Sequence, residues 1–216
     1  MSVIARLDQV RAARTVLEHP FYLRWSAGEL SADELGFYAG EYRHAVLALA
    51  EASTRAAAGA PEAHAPELEA HAAAEASHVA MWDRFAQAAG APQPQSRPPL
   101  PETLECVRAW TEGEDLLERL AVLYAIEASQ PEVSRTKLEG LRLHYGYAEE
   151  GPALEYFSTH ELLDVEHARE ARELIESLIS GLPEPEPKVD RMEQLAAAAL
   201  EGNWRLLDGV QARAER

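Results

Sequence analysis

At 216 residues, 47% of them hydrophobic and 26% charged, the chain fits a single domain, 1–216, large enough to bury its own core. A formal net charge of −17 argues against binding nucleic acid through its phosphates, and no apolar run of about 18 residues is present to span a membrane. The lone Cys106 cannot form an internal disulfide, and the N-terminus lacks a signal-peptide apolar core, so a cytoplasmic protein is expected.

Alanine, leucine, glutamate and arginine dominate without strand-like alternation, which predicts an all-α chain. The first helix is expected over about 3–18, with a shorter one after His19-Pro20 through FYLRW. Ser26 to Glu29 and Ser31 to Glu34 both have capping-box spacing, and the second should start a long helix over about 32–58. Gly59-Ala60-Pro61 ends it, and another long helix runs from about 62 or 66 to 89. Residues 91–101 are a proline-rich connector. Helices over about 102–112 and 115–145 follow, the latter interrupted or kinked at Pro131. One more is expected over about 153–180, then a connector LPEPEPK, then a last helix over about 189–213. The apolar segment LAAAALEGNWRLL of that last helix could pack on its own bundle or on a second copy in a homodimer.

Of 20 basic residues only Lys137 and Lys188 are lysines. Lys188 sits in the second connector and reads as incidental, whereas Lys137 lies within a predicted helix. If that helix were continuous, Lys137 would face about 80° away from Glu127.

His160-x3-Asp164-x2-His167 is the strongest local signal. At about 100° per residue, positions i, i+4 and i+7 fall within roughly 60° of one another, so two imidazoles and a carboxylate share one helix face. This donor set suits iron, manganese or zinc, and helical bundles with such faces commonly hold two metals. The plainer alternative is a polar outer face with Asp164 ion-paired. His71-x3-Glu75-x2-His78 repeats the geometry on an earlier helix. Glu127, inside the apolar run LAVLYAIEASQP, is costly to bury unless charge-paired or metal-bound. Glu41 and His44 are candidates for metal or supporting contacts, with a surface position the simpler reading. Among the aromatics, Tyr22, Tyr38, Tyr42, Tyr124 and Tyr156 are candidates to line a cavity beside such a site.

Glu127 followed by His160, Asp164 and His167 resembles the haem-oxygenase-like di-iron oxidases, the superfamily that includes the TenA thiaminases and PqqC. The resemblance implies an all-α haem-oxygenase-like bundle of about seven or eight helices. Over about residues 15–177, the segments HPFYLRWSAGELSADELGFYAGEY, LYAIEASQPEVSRTKLEGL and YFSTHELLDVEHARE are similar to the CADD family, the chlamydial proteins associating with death domains and their bacterial relatives. That similarity implies a dimetal oxygen-activating oxidase with two iron ions (or an iron/manganese pair), dioxygen as co-substrate and an external reductant. It further implies para-aminobenzoate synthesis for folate that consumes one of the protein's own tyrosines. Tyr22 matches that tyrosine, and Lys137 matches the lysine proposed to donate the amino group. The implied metal ligands are Glu75, His78, Glu127, His160, Asp164 and His167.

One position departs from the pattern: His71 stands where the CADD family has a glutamate. Either Glu75 supplies the missing carboxylate or one metal position is weakened. The alternatives are a TenA- or PqqC-like oxidase or decarboxylase acting on an external small molecule, and a non-catalytic interaction protein. A thiaminase-like role would need a nucleophilic cysteine, and Cys106 lies outside the matching segments and reads as core.

Overall fold

The computed structural model describes residues 1–92, 97–148 and 150–214, the side chain of Ala214 excepted; residues 93–96 of the first connector lie outside them. Among the described residues the chain forms nine α-helices: α1 (Val3–Ala13), α2 (Pro20–Ala27), α3 (Ala32–Ala58), α4 (Ala65–Ala88), α5 (Pro101–Thr111), α6 (Leu116–Glu127), α7 (Gln130–Leu143), α8 (Glu155–Ser180) and α9 (Glu186–Ala214). Among the described residues no helix is long and apolar enough to cross a membrane.

Helix starts follow local chemistry. Ser31 caps α3 in a reciprocal box: Glu34 N–H donates to the Ser31 hydroxyl at 3.2 Å and Ser31 N–H to the Glu34 carboxylate at 2.8 Å. His19 caps α2 through its Nδ1, which accepts from Phe21 N–H at 3.0 Å, with Pro20 at the first helical position. The Ser26–Glu29 alternative is cut off by Gly28, whose φ of 73° ends α2 in the left-handed conformation.

Three expected boundaries move. The first helix stops at Ala13, because Arg14 leaves helical geometry and Thr15 caps a short 3-10 turn over Val16–Glu18. The expected 115–145 helix is two helices, with Ala128 and Ser129 between them and Pro131 in the first turn of α7. The last helix begins at Glu186, inside the expected connector, because Pro187 falls in the first turn, where a missing N–H costs nothing. Lys188 is therefore on α9, and its ammonium bonds Asp115 and Glu118 at 2.6 Å each. It ties α9 to the start of α6 and is not incidental.

The apolar run of α6 is explained by its place. Every residue from Leu116 to Glu127 except Arg119 is buried, with α3, α8 and α9 packed around it. The apolar stripe of α9, including Leu195, Ala199, Leu206 and Val210, is buried within the same chain against α1, α5 and α6. Helix α2 is fastened to α7 at two points. Trp25 Nε1 donates to the Lys137 carbonyl at 3.2 Å, and the same indole fills the space over Gly140, where a Cβ would stand 2.6 Å from the ring.

Candidate metal centre

Helices α4, α6 and α8 turn seven donor residues toward one another. His71, Glu75 and His78 come from α4, Glu127 from the last position of α6, and His160, Asp164 and His167 from α8. The i, i+4, i+7 spacing delivers each triad to one face, as helical geometry requires. The donors fall into two groups, Glu75–His78–His160 and His71–Glu127–His167. Glu75 also meets Asp164 and His167, and within each group the ligand atoms lie within 4.8 Å of one another. His71 and Glu75 are thus both inside the cluster: His71 Nε2 stands 2.9 Å from Glu127, and Glu75 stands 3.1 Å from His78 Nδ1 and 4.0 Å from His160 Nε2.

These short approaches lack hydrogen-bond angles, although His71 and Glu127 are close enough to pair as opposite charges. His71 Nε2, His78 Nδ1, His160 Nε2, His167 Nδ1, Glu75 Oε1 and both oxygens of Glu127 and of Asp164 are buried without a hydrogen-bond partner. The atoms crowd together while pointing past one another, as donors do when they converge on a common centre. Three carboxylates buried among four histidines carry a heavy desolvation cost, and among the described residues their ion-pair partners are histidines. Two divalent cations would offset it, and the mixed nitrogen and oxygen donor set suits iron or manganese. The residues present fit a dimetal centre.

Electrostatics without metal show the same strain. Burial, reinforced by the charges of Glu127 and Glu75, pushes the Asp164 carboxyl up to about 7, against the opposing pull of His167. Burial lowers His71, but the neighbouring Glu127 outweighs it and raises the imidazole to about 9. His160 is pushed down to about 4, chiefly by burial, and is neutral. Its Nδ1 donates to the Tyr156 carbonyl at 2.7 Å, which leaves Nε2 with a free lone pair facing Glu75.

The inner side of the cluster meets a block of aromatic rings. Tyr156 stacks on His160 with 4.0 Å between ring centres, Trp82 lies 4.8 Å from Tyr156, and Tyr42 lies 5.0 Å from Trp82. Tyr38 follows at 5.3 Å from Tyr42, and its hydroxyl is 3.1 Å from that of Tyr22. Lys137 ends inside this block. Its Nζ sits 4.6 Å from the Tyr42 ring centre, 5.5 Å from Tyr22, 5.6 Å from Tyr38, 5.7 Å from Trp82 and 5.4 Å from Phe157. With no hydrogen-bond partner and no exposure, the amine is brought down to about 7 by burial alone. Burial also raises the phenols of Tyr22, Tyr38, Tyr42 and Tyr156, so all four stay protonated.

Two expected residues are placed elsewhere. Glu41 is buried rather than at the surface, but it is held by Arg97, the Thr103 hydroxyl and Leu100 N–H, away from both donor groups. Tyr124 does not line the aromatic block; its hydroxyl donates to Asp8 at 2.6 Å and accepts from Arg172 at 3.0 Å. Conversely, Trp82 and Phe157 complete the cage around Lys137 without having been singled out. Their positions carried a signal, because Trp82 is one turn beyond His78 and Phe157 one turn before His160 on the ligand-bearing helices. Cys106 is buried core, its thiol raised by burial.

Comparison with known proteins adds three findings. Residues 37–208 match a family described as iron-containing redox enzymes. The chain is 29% identical over 226 residues to a 4-aminobenzoate synthase of Nitrosomonas europaea, covering 95% of this chain and 89% of that protein. A 4-aminobenzoate synthase of Chlamydia muridarum is 29% identical over 188 residues, covering 82% of this chain and 79% of that one. In three dimensions the chain is similar to a TenA homolog from Pseudomonas syringae, with a TM-score of 0.82 at 18% identity over 97% of this chain and 91% of that one. It is also similar to a domain with a heme oxygenase-like fold from Shewanella denitrificans, with a TM-score of 0.74 at 19% identity over 99% and 90% of the two chains. At such identities these structures speak for the fold alone.

Proposed function

The chain belongs to this family of iron-containing redox enzymes, and from that premise we propose that it is a dioxygen-dependent dimetal oxidoreductase that forms 4-aminobenzoate from its own side chains. Two metal ions held by the seven donor residues would activate dioxygen and supply the oxidising equivalents, with an external reductant returning electrons. The observation that carries the reading is the sealed meeting of one amine with three tyrosines, at the end of an aromatic path that begins on His160.

The product's chemistry fits that cage. 4-Aminobenzoate is a benzene ring with nitrogen and carbon substituents in para positions, and a tyrosine ring already carries oxygen and carbon there. Lys137 would supply the nitrogen: Nζ would replace the phenolic oxygen, which leaves as water, and the lysine Cε would be oxidised to an aldehyde as its bond to nitrogen breaks. The tyrosine Cβ would be oxidised to the carboxylate as it parts from Cα, with dioxygen as the oxidant throughout. The lowered pKa of Lys137 leaves a large share of the amine unprotonated near neutrality, with a lone pair free for attack. The surrounding rings exclude water, and the hydrogen bond between the Tyr22 and Tyr38 hydroxyls at 3.1 Å holds the two rings in place. Similarity to the CADD family selects Tyr22 as the consumed ring, while Tyr42 is the ring nearest Lys137.

The test is to load the protein with iron(II) without air, add dioxygen and a reductant, and measure 4-aminobenzoate. Tyr22→Phe and Lys137→Arg should each abolish it, and protein grown on ring-labelled tyrosine should give labelled product. Undiminished product from Tyr22→Phe, with loss from Tyr42→Phe, would transfer the role to Tyr42. Product from none of the proteins, at full iron content, would defeat the proposal.

A further inference from the structure

The seven donor residues are not equally enclosed. The side chains of His71 and His167 are 12% and 14% exposed, whereas Glu75, His78, Glu127, His160 and Asp164 are at 3% or below. The two exposed rings, 4.4 Å apart, form the floor of a narrow cleft of about 30 Å³ that also reaches Glu127. Its walls are Leu68 from α4, Leu123 from α6 and Leu174 from α8, and Glu67 and Glu170 stand at the mouth. A second observation marks its inner end as a place for a ligand: both carboxylate oxygens of Glu127 are buried there without a hydrogen-bond partner.

We infer that this cleft is the port through which dioxygen reaches the metal centre. The inference rests on the oxygen-dependent reading given above. A space of about 30 Å³ takes one or two molecules the size of water and has no room for an aromatic acid. Leucine walls discourage ions and favour an apolar diatomic gas, and two carboxylates at the mouth turn away anionic reductants. The aromatic cage of Lys137 adjoins the opposite side of the cluster, through Tyr156 and His160. Gas therefore enters on one side while the side chains to be oxidised lie buried on the other, beyond the donor residues.

The port is tested first without metal. Dissolved dioxygen is paramagnetic and speeds the relaxation of methyl groups it visits. In metal-free protein under oxygen pressure, the Leu123 methyls should relax several-fold faster than those of Leu7, an equally buried core leucine. Leu174→Trp should remove that difference, and Leu68→Phe narrows the cleft from the opposite wall should the tryptophan variant fail to fold. In iron-loaded protein either plug should slow the second-order reaction with dioxygen tenfold or more at unchanged iron content, while Leu174→Ala should not slow it. Equal relaxation at Leu123 and Leu7, or a plugged protein that reacts at the wild-type rate, overturns the port. Failure of the wild type to bind iron would instead defeat the metal reading, and the relaxation measurement would still decide whether gas enters here.

Discussion

Lys137 Nζ stands 4.6 Å from the centre of the Tyr42 ring, fully buried and without a hydrogen-bond partner, and this burial favours the neutral amine. Burial takes its pKa from the ordinary 10.5 to about 7. Below about pH 7 folding must bury a charge or strip its proton, so the penalty is fully present. Between that value and the unfolded pKa the unfolded chain holds a proton the folded chain lacks, so stability rises with pH and the penalty fades. Lys137→Met should therefore stabilise the metal-free protein by about 5 kcal/mol at pH 6, with little gain left near pH 10.5. Urea unfolding of both proteins across that range measures it, and parallel pH curves would defeat it.

Glu75 takes part in two donor groups and His71 in one. After anaerobic loading, Glu75→Ala should lower iron at both positions, whereas His71→Ala should leave about half of the wild-type content. Metal analysis per chain distinguishes the two, and equal losses would contradict the grouping.

Because most of the buried donor atoms have no hydrogen-bond partner until a cation arrives, metal should stabilise the fold strongly. At free iron about a thousand times its dissociation constant the gain is about 4 kcal/mol, which for a chain of this size raises Tm by roughly 8–16 °C. Thermal unfolding under anaerobic conditions, with and without a chelator, should show that difference; coincident transitions would speak against a buried site.

Gly140→Ala places a methyl group 2.6 Å from the Trp25 ring. Overpacking of this kind costs about 1–3 kcal/mol, and it pushes α2 away from α7, separating Tyr22 from Lys137. Denaturant unfolding should show the destabilisation, and 4-aminobenzoate formation should fall further than the lost folded fraction explains.

Much of the centre was legible because a helix turns spacing into direction. His160, Asp164 and His167 share a face of α8, as do His71, Glu75 and His78 on α4, and neither result needs knowledge of a neighbour. What sequence leaves out is how separate helices meet. Carrying an angle from Glu127 to Lys137 along one continuous helix turns Lys137 away, but the chain breaks at Ala128 and Ser129 and re-aims α7. Glu41 looks like a surface residue until Arg97 and Thr103, more than fifty positions later, close over it. Lys188 looks idle because its partners, Asp115 and Glu118, lie some seventy positions earlier.

The burial of Lys137 also turns a sparse composition into a record of events. With lysine at two positions only, a lysine-specific protease cuts the unfolded chain into three pieces, and of the two lysines amine-directed reagents on the folded protein find Lys188, Lys137 being sealed. A chain whose Lys137 has lost its amine would be cut once, giving two pieces. Under the reaction proposed above each molecule would keep a permanent mark of having reacted, and a digest of a mixed population would read as the fraction that has.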